Sequence, residues 1–437
     1  MLSRRGLSFV GFLIITAFLG GCQPKVYLMP SPVGIIPDGK LFQLSEQWEY
    51  DNFLVTLYAT NRQPIDVSNR TDRYTIFPSD TLRLGVVVDR VGEEDMTWEQ
   101  MYEESLKRKR SNKLLLSREW AREFVSYKLE GDLRDNSSEA HGFFDQVNKL
   151  LNRSIDEDII VYVHGSNSNF YRSTAQGAQF YHFTGHNSVI LTFSWPSAEN
   201  LLKYKTDVLH AEKTVPAFAR LIELLAANTQ AKNIHILAYS AGAQVVTPGL
   251  TYLVDQYPGL SKQQLKEKLR IGEVYFAAPD TAFETFIGQY LKFRDIVRRT
   301  TINLNQNDLV LRLSSMQNGV SRLGKPDGSE LSELERITLI TETKTPQLNV
   351  IDVSGSEALD IGGAHDSWYN HPWVSNDVLS LFLFNADPLE RGLEEYWYED
   401  GAKTYRFPSD YESRFRSIID DHRNEWPEKL KSESKIE

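Results

Sequence analysis

Ile236-Leu237-Ala238-Tyr239-Ser240-Ala241-Gly242-Ala243-Gln244 is the stretch whose reading decides the fold. The apolar run Asn233 to Leu237 has the character of a buried strand, and Gln244 to Gln256 has helical spacing. Between them lies a turn of small residues. Small side chains are needed there because strand and helix approach closely, and such a turn lifts one side chain, here Ser240, above the sheet edge. Ala238 takes the place of the first glycine in the G-x-S-x-G form of this elbow. The helix N-terminus beneath the serine favours negative charge developing on a reacting group. Without that flanking strand and helix, the pentapeptide would describe only a tight turn.

Working outward, the chain alternates strands and helices. Ile159-Ile160-Val161-Tyr162-Val163, Ser188 to Phe193, Glu273 to Phe276, Arg299 to Leu304 and Leu348 to Val353 read as strands, with helical patterns between them, notably Ala211 to Asn228. Continuous apolar strands separated by helices predict a mostly parallel central sheet covered by helices on both faces. Ligands then bind at the carboxyl ends of the strands. Asn52 to Val91 is strand-like, Thr97 to Phe124 reads as helical, and Glu139 to Leu151 as a further helix. These elements predict an N-terminal β/α extension of the sheet over 52–157, ahead of a catalytic core over 158–385. A charged helical extension is expected over 386–437.

The chain has 437 residues, a formal net charge of -11 and a single cysteine, Cys22. The acidic balance argues against nucleic-acid binding, which wants a basic face. The basic run Lys107-Arg108-Lys109-Arg110 reads as a solvated helix face. One cysteine excludes an intramolecular disulfide and a cysteine metal cluster. No metal-ligand spacing and no phosphate loop appears, so no cofactor is expected. Arg4 and Arg5 precede an apolar segment, Leu7 to Leu19, that is short for a transmembrane helix and fits a signal peptide over 1–21. It closes on Leu19-Gly20-Gly21-Cys22, which resembles the bacterial lipobox. That resemblance implies lipidation of Cys22, a lipidated tether over 22–51 and a place in the cell envelope. Gln23 after the cysteine favours the outer membrane, facing the periplasm. The prolines between Gln23 and Asp38 suit an extended tether.

A serine needs a base to be nucleophilic at neutral pH, and the base needs an orienting acid. In parallel-sheet hydrolases with this elbow the chain order is serine, acid, histidine. Downstream of Ser240, His365 lies in the loop after the last expected strand, where the base belongs; His371 is the second choice, and His422 reads as solvated. Two aspartates end expected strands. Asp308 holds the usual position of the acid, and Asp280 would support the site or cap the helix after it. The oxyanion-binding N–H groups are expected from Ala241 and from Ser166 in Val163-His164-Gly165-Ser166. His164 would hold that loop. Trp195, in Ser194-Trp195-Pro196, either lines the pocket or packs beside a turn proline. Phe170, Tyr171, Phe180, Tyr181 and Phe183 form either an acyl wall or lid, or a helix face packed on the sheet.

The set Tyr58-Ala59-Thr60-Asn61-Arg62, Val163-His164-Gly165, Phe193-Ser194-Trp195-Pro196-Ser197, Ala238-Tyr239-Ser240-Ala241-Gly242, Ala277-Ala278-Pro279-Asp280, Asn307-Asp308 and His365 is similar to the bacterial α/β hydrolases of unknown function. The likeness runs from about Phe53 to Leu381. It departs from the pattern at Tyr239, where such families often carry histidine, and in an acidic insertion, Asp327 to Glu335. The resemblance implies the α/β-hydrolase fold and hydrolase activity, and names no substrate. The expected function is a membrane-anchored serine esterase acting on a lipid or an acylated envelope component. A thioesterase or amidase on the same fold, and an envelope lipoprotein that keeps the scaffold only for binding, stand beside it.

Overall fold

The computed structural model describes residues 25–34, 42, 52–65, 73–133, 137–199 and 203–423. Cys22 and the expected signal peptide lie outside the described residues. In chain order the first elements are β1 (Val26–Tyr27), β2 (Phe53–Pro64), β3 (Tyr74–Val91), α1 (Trp98–Ser105), β4 (Leu115–Lys128) and α2 (Ser138–Arg153). The alternating part follows with β5 (Ile159–Val163), α3 (Phe170–Phe183), β6 (Val189–Phe193), α4 (Tyr204–Asn228), β7 (Ile234–Tyr239), α5 (Ala243–Gln256), α6 (Lys262–Leu269), β8 (Ile271–Ala277), α7 (Phe283–Phe293) and β9 (Val297–Leu304). It continues with α8 (Leu309–Asn318), α9 (Glu333–Glu342), β10 (Leu348–Asp352), α10 (Ser367–Asn370), α11 (Pro372–Phe384), β11 (Glu394–Trp397), β12 (Lys403–Arg406) and α12 (Tyr411–Arg423).

Twelve strands form one sheet in the order β1-β4-β3-β2-β6-β5-β7-β8-β9-β10-β12-β11. Pairing is parallel from β2 through β12 and antiparallel at the two ends, among β1, β4, β3 and β2 and between β12 and β11. This is the expected α/β-hydrolase architecture with its N-terminal β extension. Alternate residues of β5 explain the two-sided burial. Ile159, Val161 and Val163 enter one core with Phe143, Phe218 and Val246, whereas Ile160 and Tyr162 enter a second with Phe180, Trp368 and Phe382. Helices α2, α4 and α5 thus cover one face, and α3, α10 and α11 the other.

Three expectations are corrected. Only Trp98–Ser105 of the stretch 97–124 is helical, and Leu115 to Lys128 is a strand. Its Leu, Arg and Glu content suits a helix, but Leu116, Arg118, Ala121, Val125 and Tyr127 are buried in the register of an antiparallel partner for β3. The segment 25–34 is packed, not tethered loosely. Val26 and Tyr27 pair with Leu116 and Leu115, Leu28, Met29 and Val33 are buried, and Arg110 donates to the carbonyls of Leu28 and Met29. Apolar residues between the prolines supply the area that outweighs chain entropy. The C-terminal extension begins with the hairpin β11–β12, whose Tyr405 adds a parallel strand beside Ile351 of β10, and only then turns helical.

Candidate active site

The turn between β7 and α5 is strained, and its neighbours hold it so. Ser240 has φ +51°, a left-handed conformation uncommon outside glycine. The strand β5 and its loop press against it. A Cβ on Gly242 would stand 2.5 Å from the carbonyl oxygen of Val163, and one on Gly165 would stand 2.9 Å from the Ser240 Cβ. Both glycines are therefore required by close approach, and Ala238 and Ala241 are fully buried in the same contact. The loop after β8 closes the other side, with the Asp280 N–H donating to the Ser240 carbonyl at 3.0 Å. The Ser240 side chain emerges at the carboxyl edge of the parallel strands.

His365 meets it there. Its Nε2 lies 2.8 Å from Ser240 Oγ and its Nδ1 2.7 Å from Asp308 Oδ2. A carboxylate only accepts, so the proton belongs on Nδ1, and the bare Nε2 accepts from the serine hydroxyl. Asp308 is fully buried and shares its oxygens between two tasks. Oδ1 caps α8 by accepting from the Leu311 N–H at 2.9 Å, and Oδ2 holds the imidazole. The acid loop and the histidine loop are stitched together, because Asn305 donates to the carbonyls of Gly362 and Ala364 and the Leu309 N–H donates to Gly363. The imidazole stays 11% exposed. The Tyr239 ring stands 5.4 Å from it and Trp368 backs that tyrosine at 5.7 Å.

The remaining expected residues fall into distinct places. Ser166 is half-buried on the loop after β5, directly beyond Gly165, and Ala241 follows the serine at the start of the helical turn. The two backbone segments expected to form an oxyanion hole thus flank Ser240. His164 is buried and stacked on Trp195, with Nδ1 2.7 Å from the Gly165 carbonyl and Nε2 3.1 Å from that of Trp195. Burial, aided by the nearby Arg62 guanidinium, pushes its pKa down to about 3, so the ring is neutral and holds the loop. Trp195 is packed beneath the site, donating to the His164 carbonyl at 2.6 Å. Asp280 does not cap α7, whose N-cap is Ala282. It is bound to Arg322 at 2.5 Å and to the Ser314 hydroxyl at 2.7 Å. His371 caps α11 through the Trp373 N–H, and the imidazole bonded to Ser240 is that of His365 instead. Phe170, Phe180 and Phe183 are buried in the packed helix α3, which excludes the lid reading for them. The His422 side chain lies outside the described residues. Among the described residues, no group of three or more His, Cys, Asp or Glu side chains is placed to hold a metal ion.

Two positioning residues have no role legible in the sequence, although Arg62 closes the motif Tyr58 to Arg62. Arg62 is buried and donates to the carbonyls of Ser168 at 2.7 Å and Ser194 at 3.3 Å, tying the loops after β5 and β6 to β2. Arg322 sits in the loop after α8, ahead of the acidic insertion, and has no motif around it. Only spatial proximity shows that it neutralises Asp280.

A family described as "Alpha/beta hydrolase of unknown function (DUF900)" matches residues 140–380. No curated protein matches the chain. Among solved structures, a predicted CIB-like hydrolase from Thermoplasma acidophilum is similar at 16% identity, over 53% of this chain and 88% of that one, with a TM-score of 0.29.

Proposed function

The chain belongs to the alpha/beta hydrolases of unknown function (DUF900), and from that premise we propose that it is a serine hydrolase of carboxylic esters. The single observation that carries this reading is the placement of one imidazole between a strained serine and a buried carboxylate, at 2.8 and 2.7 Å. In this reading Ser240 Oγ attacks the acyl carbon while its proton passes to His365 Nε2, and Asp308 holds the resulting imidazolium. The N–H groups of Ala241 and Ser166 receive the oxyanion. The ester C–O bond then breaks, the leaving alkoxide takes the proton from His365, and the acyl group remains on Ser240. Water, deprotonated by the same nitrogen, releases the acid and restores the serine.

The lipobox-like Leu19 to Cys22 supports a lipid anchor and an envelope location, which would place the esterase beside lipids and acylated envelope compounds. A fluorophosphonate tests the catalytic reading. It should label the wild-type chain and leave Ser240→Ala unlabelled, with hydrolysis of short acyl esters lost and the melting temperature kept. Labelling of Ser240→Ala at another serine would overturn the assignment.

A further inference from the structure

The basic run that reads as a solvated helix face is neither helical nor merely solvated. Helix α1 ends at Ser105, and Lys107 to Arg110 form a loop that lines a cleft of about 560 Å³. Lys25 enters it from the packed N-terminal segment, Lys113 from the loop just before β4 and Arg172 from α3. Among the described residues no Asp or Glu lines the cleft, although the chain carries a net charge of -11. Concentrating positive charge in a concave, low-dielectric wall focuses the field on one sign of ligand.

The charges are only partly consumed internally: Arg172 also donates to the Asn167 carbonyl and Lys113 stands over the Tyr27 ring, contacts that leave their charge unneutralised. Lys107 pairs with Glu104 and Arg108 with Glu412, but among the described residues no carboxylate is within ion-pair distance of Lys25, Lys109, Lys113 or Arg172. Arg110 is fixed by the carbonyls of Leu28, Met29 and Glu104, which makes it a rigid part of the wall. Gln176, 3% exposed, spends its carbonyl on the Tyr162 hydroxyl at 2.9 Å, and among the described residues its amide N–H groups face no acceptor. The cleft also adjoins the candidate active site. Its wall includes Tyr369, whose ring is 5.9 Å from that of Tyr239, the neighbour of His365.

We propose that this cleft binds a phosphoryl group, supplied by the headgroup of an anionic membrane phospholipid. Charge complementarity and the spare amide argue for the phosphoryl chemistry. The lipid source rests on the reading of Cys22 as the anchor point. Lys25 lies three residues beyond it, a reach of at most about 11 Å for extended chain, so the anchor would hold the cleft at the membrane surface.

The test uses the full lipidated chain carrying Ser240→Ala, so that no lipid is turned over, reconstituted on vesicles of phosphatidylcholine alone or of phosphatidylcholine with phosphatidylglycerol. A water-soluble amine reagent reports the accessibility of each lysine. Phosphatidylglycerol should slow labelling of Lys25, Lys109 and Lys113 at least about fivefold, relative to the exposed Lys268 and Lys292 outside the cleft, and added salt should reverse the protection. Equal labelling on both vesicles, with the chain floating on both, would overturn the cleft while leaving the anchor in place. Failure to float on phosphatidylcholine would overturn the anchor, and with it the lipid source. Protection by inorganic phosphate over phosphatidylcholine vesicles would keep the phosphoryl site and overturn the lipid. None of these outcomes bears on the hydrolase reading, which the fluorophosphonate decides separately.

Discussion

Asp308→Asn separates the two tasks that one carboxylate performs. The variant keeps the shape of the side chain and an oxygen able to accept from the Leu311 N–H, where the aspartate now accepts at 2.9 Å. Asparagine is as good a helix cap as aspartate, so stability should hold. The amide NH₂ then faces His365 Nδ1, 2.7 Å away in the parent. A donor there forces Nδ1 to accept and moves the ring proton to Nε2, which can no longer take the proton of Ser240 Oγ. Flipping the amide restores the tautomer but loses the cap, at a cost of about 1–2 kcal/mol. The flipped form also lacks the anion that stabilises the imidazolium, a charge-assisted bond contributing about 1.5–3 kcal/mol. Together these effects lower kcat/KM about 10²- to 10⁴-fold. The assay is steady-state hydrolysis of a short acyl ester alongside a melting curve. Activity within tenfold of wild type, at an unchanged melting temperature, would refute the assignment of Asp308.

Other substitutions probe the frame. Gly165→Ala puts a Cβ 2.9 Å from that of Ser240 and 3.3 Å from Tyr239 Cδ1; a loss of kcat of about tenfold or more with a stability cost of about 1–3 kcal/mol is expected, and wild-type kcat would show that the loop can yield. Asp280→Asn leaves Arg322 buried without its carboxylate. The melting temperature should drop by an amount equivalent to about 3–5 kcal/mol, while the folded fraction at low temperature hydrolyses ester within a few-fold of wild type; a stable but inactive variant would instead mark Asp280 as the acid. Asp156 has its pKa pushed up to about 7, by burial and then by the neighbouring Asp158. A raised acid stabilises the fold below its unfolded pKa, about 3.9, and that stability is lost as pH climbs through 7. Relative to wild type, Asp156→Asn should therefore gain about 1–3 kcal/mol between pH 4 and 8 in denaturant titrations, and parallel profiles would contradict the burial argument.

The strands of the parallel core were legible because β5 to β8 and β10 are short and mainly apolar, a pattern that burial on both faces imposes. The elbow was legible for a related reason. Ala238, Ala241 and Gly242 record a close approach that larger side chains would prevent. The segment 115–128 was not, since Arg118 is an inward-facing residue of β4 whose charge hides the alternation. It is buried because Asp89 answers it at 2.8 Å, a pairing that exists only once β3 and β4 meet. The same holds for Val26 to Val33 and for β11–β12: each is too short to carry a period, and each is ordered by a partner distant in sequence. Function-bearing loops were legible where a residue type is chemically obligatory, as at His365, and illegible where a generic arginine outside any motif serves, as at Arg322; at Arg62 the motif was legible but the role was not.

Two aspartates end adjacent strands at this edge, and what separates them is the company each keeps. Asp280 follows β8 and is met by Arg322 and Ser314, so its charge is already neutralised before any imidazole could approach. Asp308 follows β9 and, among the described residues, has no lysine or arginine within ion-pair distance; its partners are a helix N–H and an imidazole. An unneutralised carboxylate in a buried site is costly. Here the helix N-terminus offsets part of that cost without supplying a full positive charge. The remainder is what makes Asp308 useful, because among the described residues the full cation within its reach is the one that forms on His365 when Ser240 gives up its proton. A cation placed beside Asp308 should therefore slow the reaction while making the protein more stable, and the arginine that the fold does supply is held one strand away, on Asp280.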